Sequence, residues 1–120
     1  MDRKTILVLE DDSRVRTFLG SFFRKANYEV IESEDAQAIA DKIRAGEIKY
    51  DVLISDCCSN EGGSYSENPA IMASKEFYPK IPRIGISCWP QIDAVDVHVH
   101  LPKPFQPKSL VDVLDNLLLR

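Results

Sequence analysis

The chain has no apolar run approaching the roughly 18 to 20 residues of a membrane span. Its start, Met1-Asp2-Arg3-Lys4, enters a strand-like segment without the apolar region and small-residue cleavage site of a signal peptide. A soluble, cytoplasmic protein with no membrane partner is therefore expected. Cysteine is scarce: there are three, an odd number, and two are adjacent at Cys57-Cys58. Neighbours in sequence rarely bridge each other, so a disulfide framework is not expected. No Lys/Arg stripe is present and the net charge is −4, which argues against direct nucleic-acid binding. Repeats, low-complexity tracts and linkers are missing too, and 120 residues suffice for one domain, 1–120, with an unstapled core.

What is present is an alternation of two periods. Thr5-Ile6-Leu7-Val8-Leu9 is a β-branched and aliphatic run that stops on Glu10-Asp11-Asp12-Ser13. Val15, Phe18, Leu19, Phe22 and Phe23 then follow the spacing of a helix with one buried face, and Asp12 or Ser13 is a natural N-cap. Asn27 breaks that pattern, and Tyr28-Glu29-Val30-Ile31 predicts a second strand. Ala36, Ile39, Ala40 and Ile43 predict a second helix closed by Gly46. Asp51-Val52-Leu53-Ile54-Ser55-Asp56 predicts a buried third strand ending on a carboxylate.

The polar segment 57–68, with Gly62-Gly63, predicts a long loop before a short helix at Pro69 to Phe77, where Pro69 suits the first turn. Ile81 to Ser87 predicts strand four, and Ala94 to Leu101 contains strand five. A last helix from about Pro107 places Leu110, Val113, Leu114, Leu117 and Leu118 on one face. The expected fold is α/β: a flavodoxin-like three-layer sandwich around a five-stranded parallel sheet of order 2-1-3-4-5. Strands one and three then adjoin at the topological switch point, so Glu10, Asp11 and Asp56 should share a crevice.

Three converging carboxylates repel one another unless a cation compensates, and Mg²⁺ is the expected ion because it takes hard oxygen ligands, commonly together with phosphate. Without a cation the acids would be a solvated loop. Ser87, ending strand four, and Lys103, following strand five, point to the same rim, where a hydroxyl and an ammonium suit an anionic ligand.

In these features the chain resembles, along nearly its whole length, the response-regulator receiver domains of two-component signalling. Ile6 to Asp12 with Arg16 resembles their first strand, acidic pair and first helix. Asp51 to Asp56 resembles the acceptor strand, Ile84-Gly85-Ile86-Ser87-Cys88 the Ser/Thr strand, and Leu101-Pro102-Lys103-Pro104-Phe105 the lysine motif. The resemblance implies that Asp56 takes a phosphoryl group from a sensor histidine kinase, a phosphotransfer protein or a small phosphodonor. It implies Asp11 as a direct Mg²⁺ ligand with Glu10 assisting, Asp56 and the backbone carbonyl of Cys58 completing the protein ligands, and Ser87 and Lys103 on phosphoryl oxygens. It further implies output by altered binding to a downstream protein or output domain. The chain would not be an enzyme beyond phosphorylating and dephosphorylating its own Asp56.

The chain also departs from that family. Residues 88–102 number 15 between Ser87 and Lys103, and nine remain if strand five takes Val97 to Leu101. A nine-residue helix advances about 13.5 Å, short of the roughly 17 Å return along a five-residue strand. The helix between the fourth and fifth strands is therefore expected to be lost or reduced, with Cys88 to Asp96 an extended or irregular crossover. His100 stands where relatives carry a switch aromatic, and His98 is expected on the same face. The pair reads as partly exposed polar residues on an edge strand or as a metal pair, with a switch role for His100 alongside Ser87. Ser59-Asn60 stands where relatives commonly carry Met-Pro. Cys57-Cys58 reads as small side chains near a strand end or as a redox or soft-metal site, and Trp89 as a shield against hydrolysis.

Besides the phosphoryl-accepting receiver, two further functions are open. One is a receiver-like protein-interaction module that works without phosphorylation, favoured by the altered loop and crossover. The other is a phosphohydrolase or flavin binder, opposed by the lack of an Asp-x-Asp strand and of a Ser/Thr/Gly loop after strand one. The kinase, the output and the oligomeric state are not encoded in any motif.

Overall fold

Residue parity along the strands divides the core into two layers. In the computed structural model, which describes residues 3–56, 65, 68–87, 96–103 and 105–118, the elements run β1 (Thr5–Leu9), α1 (Ser13–Lys25), β2 (Glu29–Ser33), α2 (Ala36–Ala45), β3 (Val52–Asp56), α3 (Pro69–Phe77), β4 (Arg83–Ser87), β5 (Val99–Pro102) and α4 (Pro107–Leu118). Ile6 and Val8 of β1, with Val52 and Ile54 of β3, join Leu19, Phe23, Leu110 and Leu114 from α1 and α4. Leu7, Leu9 and Leu53 face the other way, onto Ile39, Ala40 and Ile43 of α2 and Ala70, Ile71 and Ala73 of α3. Alternate side chains of a strand point to opposite faces, so both faces must be apolar when helices cover both.

All strand pairings are parallel, in the order β2-β1-β3-β4-β5, as the sequence predicts. The helix ends also follow local chemistry. Asp12 caps α1 by accepting from the Arg14 amide at 2.9 Å. Gly46 closes α2 at φ 70°, a left-handed conformation in which a side chain would be strained. Asn27 takes φ 73° after α1, which lets the chain turn into β2.

Strand limits differ from the sequence pattern by one or two residues, because pairing partners set them. β2 omits Tyr28 and runs on through Glu32 and Ser33, which pair with Val8 and Leu9. Tyr28 is buried, and its hydroxyl donates to Asp115 at 2.7 Å. β3 begins after Asp51, whose carboxylate accepts from the Thr5 amide at 2.7 Å. β4 starts at Arg83 rather than Ile81. β5 starts at Val99 rather than Val97 and ends on Pro102, a residue tolerated at an edge.

Four helices are present among the described residues, none of them between β4 and β5. The expected loss or reduction of that helix falls on 88–95, which lies outside the described residues. Among the described residues no helix is long and apolar enough to cross a membrane.

Candidate functional site

Parallel register carries the ends of β1 and β3 to one level: Leu9 pairs with Ser55, so Glu10 emerges beside Asp56. Glu10, Asp11 and Asp56 each offer one carboxylate oxygen, all within 4.8 Å of one another. Glu10 is the buried member, at 1 % exposure. Its two oxygens are already engaged: Oε2 accepts from Lys103 Nζ at 3.0 Å and Oε1 from the Asp12 amide at 3.3 Å. Arg16 Nη1 donates to the Glu10 carbonyl at 2.8 Å and lies 3.7 Å from Glu34, so α1 and the segment after β2 both hold the end of β1.

The charges in the crevice are unevenly shared. Burial, the neighbouring Glu10 charge and the hydrogen bond to Asp11 push the Asp56 carboxyl up to about 8. The same hydrogen bond holds Asp11 below the usual carboxylate range. Burial raises Glu10, against the pull of Lys103. Three acids this close titrate as a group, and without further positive charge Asp56 keeps a proton at neutral pH.

This donor set fits a hard divalent cation. It consists of carboxylate oxygens alone, it converges, and it has less positive charge nearby than its own negative charge requires. Glu10, with both oxygens occupied, suits an indirect role, whereas Asp11 is exposed.

Of the other sequence-predicted residues, Lys103 joins the cluster, although through Glu10. Ser87 ends β4 opposite Pro102, one residue beyond the Ile86–Asp56 pair, and its hydroxyl lies outside the described part of the chain. Cys57, Cys58, Ser59, Asn60, Gly62, Gly63, Cys88 and Trp89 lie outside the described residues, and with them the expected Cys58 carbonyl ligand.

His98 and His100 engage different partners through their Nδ1 atoms. His98 is exposed and precedes β5, and its Nδ1 accepts from the Arg83 amide at 2.9 Å. His100 Nδ1 instead meets the Tyr65 hydroxyl at 2.8 Å, with the rings edge to face, and its buried Nε2 has no partner among the described residues. Burial lowers both imidazoles, so both tend to be neutral. The only candidate metal cluster among the described residues is the acidic one.

Two residues at this rim escaped the sequence reading. Tyr65 is fully buried against Gly85, where a methyl group would come within 2.2 Å of the ring. Asn68, also buried, donates from Nδ2 to the Asp56 carbonyl at 3.1 Å and to Ser55 Oγ at 2.8 Å. The Asn68-Pro69 pair was its signal, a capping residue before a proline at the first helical position.

No family model matches the chain. The DNA-binding transcriptional regulator NtrC of Bradyrhizobium sp. (strain RP501 Parasponia) is 27% identical over 124 residues, covering 98% of this chain and 25% of that protein. The chain thus spans about a quarter of that relative's length. Among solved structures, Vibrio cholerae chemotaxis protein CheY4 superposes with a TM-score of 0.77 at 22% identity, over 97% of this chain and 99% of that one. The receiver domain of sensor histidine kinase PA1611 from Pseudomonas aeruginosa PAO1 gives a TM-score of 0.76 at 18% identity, over 99% of this chain and 100% of that one. The chain has the receiver-domain fold of response regulators. Within the receiver fold, the acidic cluster sits at the carboxyl ends of β1 and β3, the switch point where such sheets place ligands. The PA1611 receiver carries a magnesium ion in its active-site cleft.

Proposed function

We propose that this receiver accepts a phosphoryl group on Asp56 and signals through altered protein binding. The observation that carries the reading is the convergence of Glu10, Asp11 and Asp56 at the sheet's switch point, with Lys103 tethered beside them. Asp11 and Asp56 would hold Mg²⁺ directly and Glu10 would assist, as the ion in the PA1611 receiver suggests by analogy. The ion, when bound, supplies positive charge that keeps Asp56 ionised and offsets the charge of the phosphoryl oxygens.

Asp56 then acts as the nucleophile. One carboxylate oxygen forms a bond to phosphorus, and the bond from phosphorus to the donor's imidazole nitrogen breaks, with the electron pair leaving on the nitrogen. Lys103 exchanges its bond to Glu10 for one to a phosphoryl oxygen, and Ser87 donates to another. The acyl phosphate draws Ser87 inward and repositions His100, the route to an output surface. Donors are a sensor histidine kinase or a phosphotransfer protein, and the recipient of the signal is a downstream protein or an attached output domain. The chain's chemistry is confined to its own Asp56, in the cytoplasm.

The test is incubation with Mg²⁺ and acetyl phosphate, followed by intact mass. One added phosphoryl group in the wild type and none in Asp56→Asn is expected. An unmodified wild type would leave the phosphate-independent binding module as the better reading.

A further inference from the structure

We infer that Asn68 is a positioning residue for the acceptor, holding the main chain of Asp56 in place for attack. This rests on the reading of Asp56 as phosphoryl acceptor. Asn68 is 1 % exposed, and its carboxamide is fully used. Nδ2 donates to Ser55 Oγ at 2.8 Å and to the Asp56 carbonyl at 3.1 Å, while Oδ1 accepts from the amides of Ala70 at 3.0 Å and Ile71 at 3.2 Å. Ser55 Oγ closes the triangle by donating to the same Asp56 carbonyl at 3.0 Å. The carbonyl that follows the acceptor therefore has two donors, one of them anchored in the first turn of α3.

A carboxamide suits this place because it donates at one end and accepts at the other. A carboxylate at 68 could cap α3 but could not donate to a carbonyl, and a serine could cap but is too short to reach Asp56. Asp56 is the last residue of β3, where sheet pairing ends. The clamp takes over there, fixing the peptide plane and with it the direction in which the Asp56 side chain leaves the backbone. Small misplacements of a nucleophile slow attack steeply, so the clamp acts on rate rather than on donor binding.

The experiment compares wild type, Asn68→Ser and Ser55→Ala as full-length chains with Mg²⁺ and a range of acetyl phosphate concentrations. Initial phosphorylation rates are read by intact mass and normalised to the folded fraction from urea titration. The rate at saturating donor is expected to fall about tenfold in Asn68→Ser and about threefold in Ser55→Ala, with the half-saturating donor concentration unchanged. Normalised rates within twofold of wild type in both variants overturn the inference, as does a change confined to half-saturation. If Asn68→Ser does not fold, Ser55→Ala decides, because it leaves the α3 cap intact. A wild type that takes no phosphoryl group removes the acceptor reading itself, and this inference with it.

Discussion

The two sides of the crevice are held by different forces. On the β1 side, Glu10, Lys103, Asp12 and Arg16 are joined by charge and by hydrogen bonds to charged groups. On the β4–β5 side, Tyr65 fills the space over Gly85 and meets His100 through its ring edge and its hydroxyl, while the buried Nε2 has no partner among the described residues. Charge can be reset by an ion or a phosphoryl group, whereas a side chain seated against a glycine either fits or must move. The β1 side is thus set mainly by charge and the β4–β5 side mainly by shape.

The largest effect should come from breaking the packed side. Gly85→Ala places a methyl group within 2.2 Å of a fully buried ring, so Tyr65 must leave its seat. A loss of about 3 kcal/mol is expected, at the upper end for overpacking, read from the urea midpoint. Tyr65→Leu in the same background should recover part of it. Absence of recovery would show that Tyr65 is not the obstacle.

Next comes the charged side. Lys103→Met removes the cation paired with a nearly fully buried Glu10, which costs about 2 kcal/mol at pH 8 after allowance for the partial exposure of the lysine. Because burial already raises Glu10, the loss should shrink at pH 5, where the carboxyl can take a proton. An equal loss at both pH values would mean that Lys103 contributes packing rather than charge.

The charged side should also give the metal-free protein a distinctive pH dependence. The unfolded Asp56 carboxyl ionises near its ordinary value of 3.8, while the folded one holds its proton to about 8. Between those values the native state binds more protons, so stability falls as pH rises and levels off above about 8. His98 and His100 have the opposite sign, but their folded values are lowered, so their contribution is confined below the unfolded value of 6.5. Between pH 6.5 and 8 a decline of about 1 kcal/mol per pH unit is expected in urea titrations. It should vanish in Asp56→Asn and be offset by millimolar Mg²⁺.

Legibility in the sequence divides along the same line. β1 with its three acids, the α1 stripe, the Asp12 cap and the Gly46 stop were readable because each is decided within one or two turns of chain. The crevice followed from strand order, since placing β1 beside β3 brings Glu10, Asp11 and Asp56 together without long-range detail. The place of Tyr65 at the crevice was not readable, and for Asn68 only its helix cap was, not its reach to Asp56. Their partners lie 35 and 12 residues away, chosen by how the start of α3 meets β3 and β5. The ends of β2 and β5 were misplaced for a related reason: Glu32 and Ser33 are strand because β1 offers them partners, and no period in the sequence announces that.

The smallest effect offers the finest comparison between the two sides. Tyr65→Phe keeps the ring over Gly85 and deletes only the hydroxyl that meets His100 Nδ1. About 1 kcal/mol of stability should be lost, the usual worth of one such bond. Phosphoryl acceptance draws on the charged groups Glu10, Asp11 and Lys103 around Asp56 rather than on that hydroxyl, so phosphorylation of Asp56 should proceed within twofold of the wild-type rate. His100, freed of its hydrogen bond at Nδ1, should then exchange between positions, broadening its imidazole resonances in the unphosphorylated protein. If the rate of phosphoryl acceptance fell instead, the two sides would be one coupled network, and the division between a charge-set side and a shape-set side would fail.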